Sequence, residues 1–64
     1  MNLYNIYVKT KGMKRFRPMD LFNCKPVINL IHASLVDHDE AYKVLLELRE
    51  LNPTMEFKKV KVRG

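Results

Sequence analysis

The chain has 64 residues, with 12 Lys or Arg against 7 Asp or Glu, a formal charge of +5 and an isoelectric point near 9.6. This length excludes a second core and lets only ~60% of the unfolded surface be buried, so a single domain over residues 1–64 with modest stability is predicted. The 47% apolar content argues against disorder, and the lone Cys24 against a disulfide-stapled secreted domain.

Residues 3–10 alternate, with Tyr4, Ile6 and Val8 on one side and Asn5, Tyr7 and Lys9 on the other, which predicts a first strand. A second strand is predicted over 13–19, after Gly12. A two-residue turn at Lys11-Gly12 would set Val8 against Arg15 and Ile6 against Arg17, bringing charge onto the core face. A three-residue loop, Thr10-Lys11-Gly12, instead pairs Ile6 with Phe16 and Tyr4 with Pro18, and gives Gly12 the left-handed position. In that register Tyr7, Arg15 and Arg17 share the outer face, and Leu3, Met13 and Met19 have the same parity. Pro18 has no N–H for a ladder, so the second strand is expected to be an edge, or to end, near it.

Residues 20–26 read as a connection in which Leu21 and Phe22 tuck inward and Cys24 sits half-buried beside Phe22. The apolar, β-branched run 27–33 reads as a buried third strand, with a short helix as the alternative. Asp37 followed by Glu40 has capping-box spacing and marks a helix start. Ala41, Val44, Leu45, Leu48 and Leu51 then form an apolar stripe, flanked by Tyr42 and Leu46, and Asn52-Pro53 stops the helix. In the last strand, 55–63, Phe57 and the pair Val60 and Val62 are out of phase. A bulge at Lys58-Lys59 would restore one apolar face. The predicted fold is α+β: a two-layer βββαβ unit with a small mixed twisted sheet, the fourth strand parallel to the third, and one helix packed on one face.

Charge is segregated along this layout. Nine basic residues lie in 9–17 and 58–63, and five acids lie in 37–50, so a basic sheet face is predicted opposite an acidic helix layer. An exposed tyrosine among cations suits nucleic acid, with bases stacking on the ring and phosphates meeting Lys and Arg. The candidate nucleic-acid-binding residues are Tyr7, Lys9, Lys14, Arg15, Arg17, Lys58, Lys59, Lys61 and Arg63. The same charges also solubilise an open sheet and discourage edge pairing. The competing reading is a protein–protein module, a homodimer or an inhibitor of a host protein, using the open face or edge with Tyr7, Met13 and Met19 as anchors.

Catalytic and metal chemistry have no motif to rest on. Cys24, His32 and His38 match no zinc-ligand spacing, and Asp37, Asp39 and Glu40 are accounted for by the cap and the helix dipole. Gly12 and Gly64 are the only glycines, so no phosphate-cradling loop is present. A non-enzymatic binding module without cofactor or metal is predicted. Its partner would be nucleic acid or an acidic protein surface, and its location cytoplasmic, since neither a leader nor a run long enough to span a membrane is evident.

The run Tyr7-Val8-Lys9-Thr10-Lys11-Gly12, then Lys14-Arg15-Phe16-Arg17, and later residues 48–53 before Phe57, resembles short uncharacterised proteins of bacterial phages and conjugative elements. The resemblance implies an accessory role, binding the element's DNA or RNA or blocking a host protein. It implies no fold, site or activity.

Overall fold

The computed structural model describes residues 2–62. Its strands are β1 (Tyr4–Lys9), β2 (Arg17–Asp20), β3 (Lys25–Pro26) and β4 (Glu56–Lys61), with the helix α1 (His38–Leu51) between β3 and β4. The strands make one sheet in the order β3-β2-β1-β4, and every neighbouring pair is antiparallel. The helix covers one face, as predicted for a two-layer α+β fold. The mixed sheet is corrected: β4 pairs with β1 and runs antiparallel to β3.

The packed layer follows from β1. Ile6 and Val8 are fully buried and meet Met19, Ala41, Leu45, Leu48 and Phe57, with Tyr4, Leu21, Val36, Val44 and Met55 packed around them. The helix begins where its sequence says, because the Asp37 carboxylate accepts the Glu40 N–H at 2.8 Å and satisfies an otherwise unpaired donor. Such a cap contributes about 1 kcal/mol. At the other end the Asn52 N–H bonds the Leu48 carbonyl before Pro53 turns the chain. Leu51 completes the stripe in sequence yet stays largely exposed, at an open apolar cleft that it lines with Val8, Met19, Leu48, Met55 and Phe57.

The β1–β2 register differs from the expected one. Tyr7 pairs with Pro18 and Val8 with Arg17, so the connection runs over Thr10–Phe16 rather than three residues. Gly12 does take a left-handed φ of +95°, in a turn closed by the Met13 N–H on the Thr10 carbonyl. The shift spans three residues, an odd number, and therefore reverses the faces of β2. Met19 enters the core and Asp20 is kept out of it. Phe16 moves to the outer face, while Arg17 moves to the helix side.

Pro18 also fits this register. The Val62 N–H bonds the Leu3 carbonyl, so odd-numbered β1 residues bond toward β4, and Pro18 opposite Tyr7 sits where no N–H is required. Its carbonyl accepts from Val27 instead, at 2.8 Å. β2 is thus an interior strand, and of the two expectations for Pro18 it is the strand end, not the edge, that holds, since β2 starts at Arg17.

Residues 27–33 do not form the third strand. That role falls to Lys25–Pro26, after a turn over Leu21–Cys24. The Asn29 side chain accepts the Ile31 N–H and closes a 3-10 turn over Leu30–His32, a local bond that competes with a ladder. The chain then wedges between β1 and β2. The Ser34 N–H bonds the Met19 carbonyl, its hydroxyl accepts from the Leu21 N–H, and Val36 exchanges two backbone bonds with Tyr4.

β4 has no bulge. Its register with β1 is unbroken from Tyr4–Lys61 to Lys9–Glu56. Phe57 therefore faces the helix, and Val60 lies opposite Asn5 on the outer face.

Candidate nucleic-acid interface

The outer face has a closed end and an open end. At the closed end Asn5, expected on display, is only 7% exposed, and its amide donates to the Ser34 carbonyl at 3.0 Å. Pro18 is buried beside it. At the open end Tyr7 and Lys9 of β1 lie between Phe16, at the entry to β2, and Lys58 of β4. Lys58 is directly opposite Tyr7, yet its Nζ lies 4.3 Å from the centre of the Phe16 ring. The lysine stem must therefore cross β1. That crossing puts Phe16, Tyr7 and Lys58 on one face.

The adjoining loop adds cations. Lys14, Arg15 and Arg17 are exposed and, with Gly12 and Met13, line an open hollow of about 500 Å³. Arg17 has the helix-side parity, opposite Val8, so the expectation that both arginines point away from the helix is corrected for Arg17. It stays with its neighbours because the hollow lies at the end of the sheet, where the two faces meet.

Lys59 and Lys61 lie on the last strand, as expected, but away from Tyr7. They stand opposite Ile6 and Tyr4 on the helix side, at the outer edge of β4. The Lys59 Nζ lies 4.9 Å from the Tyr4 ring centre, so a long stem carries its charge off the apolar layer. Arg63 lies outside the described residues. Of the nine candidates, Tyr7, Lys9 and Lys58 share the outer sheet face, and Lys14, Arg15 and Arg17 share the hollow of the adjoining loop. Phe16 belongs with them and was missed, because its face depends on a loop length the sequence does not specify.

These cations are not neutralised internally. Among the described residues the one charge contact within 4.0 Å joins His38 Nδ1 to Asp39 Oδ1 at 3.7 Å, and both groups are exposed. Arg49 is engaged elsewhere, donating from Nη2 to the Phe57 carbonyl at 3.1 Å on the free edge of β4. Asp20 has local partners. The Asn23 amide, 2.6 Å from its carboxylate, is the main cause of a pKa below the usual 3.8; the backbone N–H groups of Asn23 and Phe22 and the nearby Lys25 act in the same direction. Because this pKa is depressed on folding, the turn's contribution to stability is present above the ordinary aspartate range and lost as pH falls through the lowered value.

The same turn corrects two further expectations. Phe22 is 93% exposed rather than tucked inward, and Cys24 is exposed with a φ of +52° rather than half-buried. Met19, expected as an interface anchor, is in the core. Among the described residues no three His, Cys, Asp or Glu side chains group in a way that could hold a metal ion, and no helix is long and apolar enough to cross a membrane. Comparison with family models, curated proteins and solved structures gives no match, so the case for this surface rests on the chain's own chemistry.

Proposed function

We propose that the protein is a non-enzymatic nucleic-acid-binding module that uses the open end of its outer sheet face and the adjoining loop. One observation carries this reading: Lys58 stands opposite Tyr7 with Lys9 on the same face, Lys14, Arg15 and Arg17 share one hollow on the adjoining loop, and among the described residues none of them has a carboxylate within 4.0 Å, although Glu56 lies opposite Lys9. The acids Asp39, Glu40, Glu47 and Glu50 belong to the helix on the opposite face. Such polarity presents one positive side to a polyanion. Lys9, Lys14, Arg15, Arg17 and Lys58 contact phosphates, and Tyr7 offers a plate for a base. Lys59 and Lys61 are left out of the contact set.

The test is a titration of labelled oligonucleotides monitored by anisotropy at two salt concentrations. Five phosphate contacts give a slope of about −3.5 in log K against log salt on a single strand. Affinity is then expected to fall roughly a hundredfold between about 50 and 200 mM salt. Millimolar binding that ignores salt removes the reading.

A second reading, a protein–protein module, is favoured by a different surface from the one expected. Phe22 and Ile28 are 93% and 88% exposed, and Leu30, Ile31 and Leu35 are exposed on the same segment. Several exposed apolar side chains on one segment are a mark of contact surfaces. Self-association through them gives a mass in sedimentation that rises with concentration and returns to the monomer value in Phe22→Ser. A monomer at every concentration confines this reading to hetero-partners.

A further inference from the structure

We infer that the outer face takes unpaired bases on two aromatic plates, and that Lys58 covers the second plate, Phe16, until a base displaces it. This rests on the nucleic-acid reading above and narrows it to single-stranded ligands. Three observations support it. Tyr7 on β1 and Phe16, the loop residue just before β2, lie on the same face and are linked by Lys58, which stands opposite Tyr7 and reaches the Phe16 ring. Lys58 crosses between them, so the cation on Phe16 is beside the path a backbone would follow over Tyr7. Finally, Lys14, Arg15 and Arg17, the residues on either side of Phe16 in the chain, line one hollow.

The exchange is favourable in sign. Phe16 is half-buried, and a cation over its ring is held by one of the weaker contacts in proteins, whereas a stacked base is held more strongly. Leaving the ring costs Lys58 little when a phosphate arrives with the base, because the ammonium then gains a charge-assisted hydrogen bond. A duplex offers phosphates but no free base faces, so it meets the cations and not the plates.

The experiment compares oligothymidylate, oligouridylate (each about twelve nucleotides) and a duplex of the same length, by anisotropy at about 50 mM salt. Single strands are expected to bind at least tenfold tighter than the duplex. Binding of either single strand supports the inference, and the ratio between them assigns the sugar. Phe16→Leu and Tyr7→Leu are each expected to weaken single-strand binding roughly five- to a hundredfold without altering the salt slope. Lys58→Met should reduce the slope by about 0.7.

A readout on the unaltered protein removes any dependence on how the variants fold. In proton NMR, the Lys58 side-chain methylenes are expected upfield in the free protein, shielded by the Phe16 ring, and to move downfield as oligothymidylate is added. The Phe16 and Tyr7 ring protons move upfield in the same titration. Salt-dependent binding that is equal for single strands and duplex, with unmoved ring protons, overturns this inference and leaves the nucleic-acid reading intact. Binding to none of the three ligands overturns both.

Discussion

Phe57→Ala is expected to abolish the cooperative unfolding transition at room temperature, whereas Val60→Ala, three residues later, is expected to stay within about 0.5 kcal/mol of the parent. Phe57 is buried against Val8 and the helix, so truncation removes apolar contacts and leaves a cavity, at about 3–5 kcal/mol. A domain of this length has a total stability of roughly 3–10 kcal/mol, with a value toward the lower end in keeping with seven buried apolar side chains among the described residues. The loss therefore takes most or all of it. Val60 points to the other side of the sheet and is 36% exposed. The pair of variants reads out the β4 register directly, since a bulge at the lysines would put both residues in the core. Urea denaturation followed by circular dichroism checks it, and equal losses at the two positions would contradict the register.

The second large effect concerns binding. Replacing Lys14, Arg15 and Arg17 together by glutamine is expected to lower oligonucleotide affinity on the order of a hundredfold at about 50 mM salt, and to reduce the salt slope by about 2. The three side chains line an exposed hollow and have no acidic partner within 4.0 Å among the described residues, so the unfolding midpoint should hardly move. Folding and affinity are thus separable in this variant. A matching triple replacement of Lys59, Lys61 and Lys43 removes the same charge from the helix side and helix, and is the control for net charge alone. If both triples weaken binding equally, the surface proposed here has no special role.

How much of this was legible in the sequence depended on whether a signal was local. The helix was readable because Asp37, the stripe from Ala41 to Leu48 and Asn52-Pro53 each act within a turn or two of themselves. β1 was readable because Tyr4, Ile6 and Val8 alternate with polar residues. The two-layer class follows from those elements, whereas the βββαβ order holds only because Lys25–Pro26 takes the place of the strand expected over 27–33.

Register was not local. The positive φ of Gly12 suits a short hairpin and a long one equally, so it could not choose between pairing Tyr7 with Pro18 and pairing Ile6 with Phe16. That choice decided the faces of Phe16, Arg17 and Met19, and with them half of the candidate site. The lysines of β4 misled for another reason. The phase break between Phe57 and the valines suggests a bulge, but none is needed where Val60 lies on the outer face and an edge lysine stem reaches water, as Lys59 does past the Tyr4 ring. Residues 27–33 carried strand-like composition, and a single Asn29 side-chain bond was enough to turn them into something else.

The way residues 27–36 are fastened has a practical meaning. The segment is tied mainly at Val27, Ser34 and Val36, and the stretch between follows no strand spacing that fixes its length. Doubling such a connection costs only about 0.6 kcal/mol in closure entropy. Foreign peptides can therefore be spliced in around Asn29, which makes this bend the place to graft a label or epitope while the sheet and helix keep their arrangement.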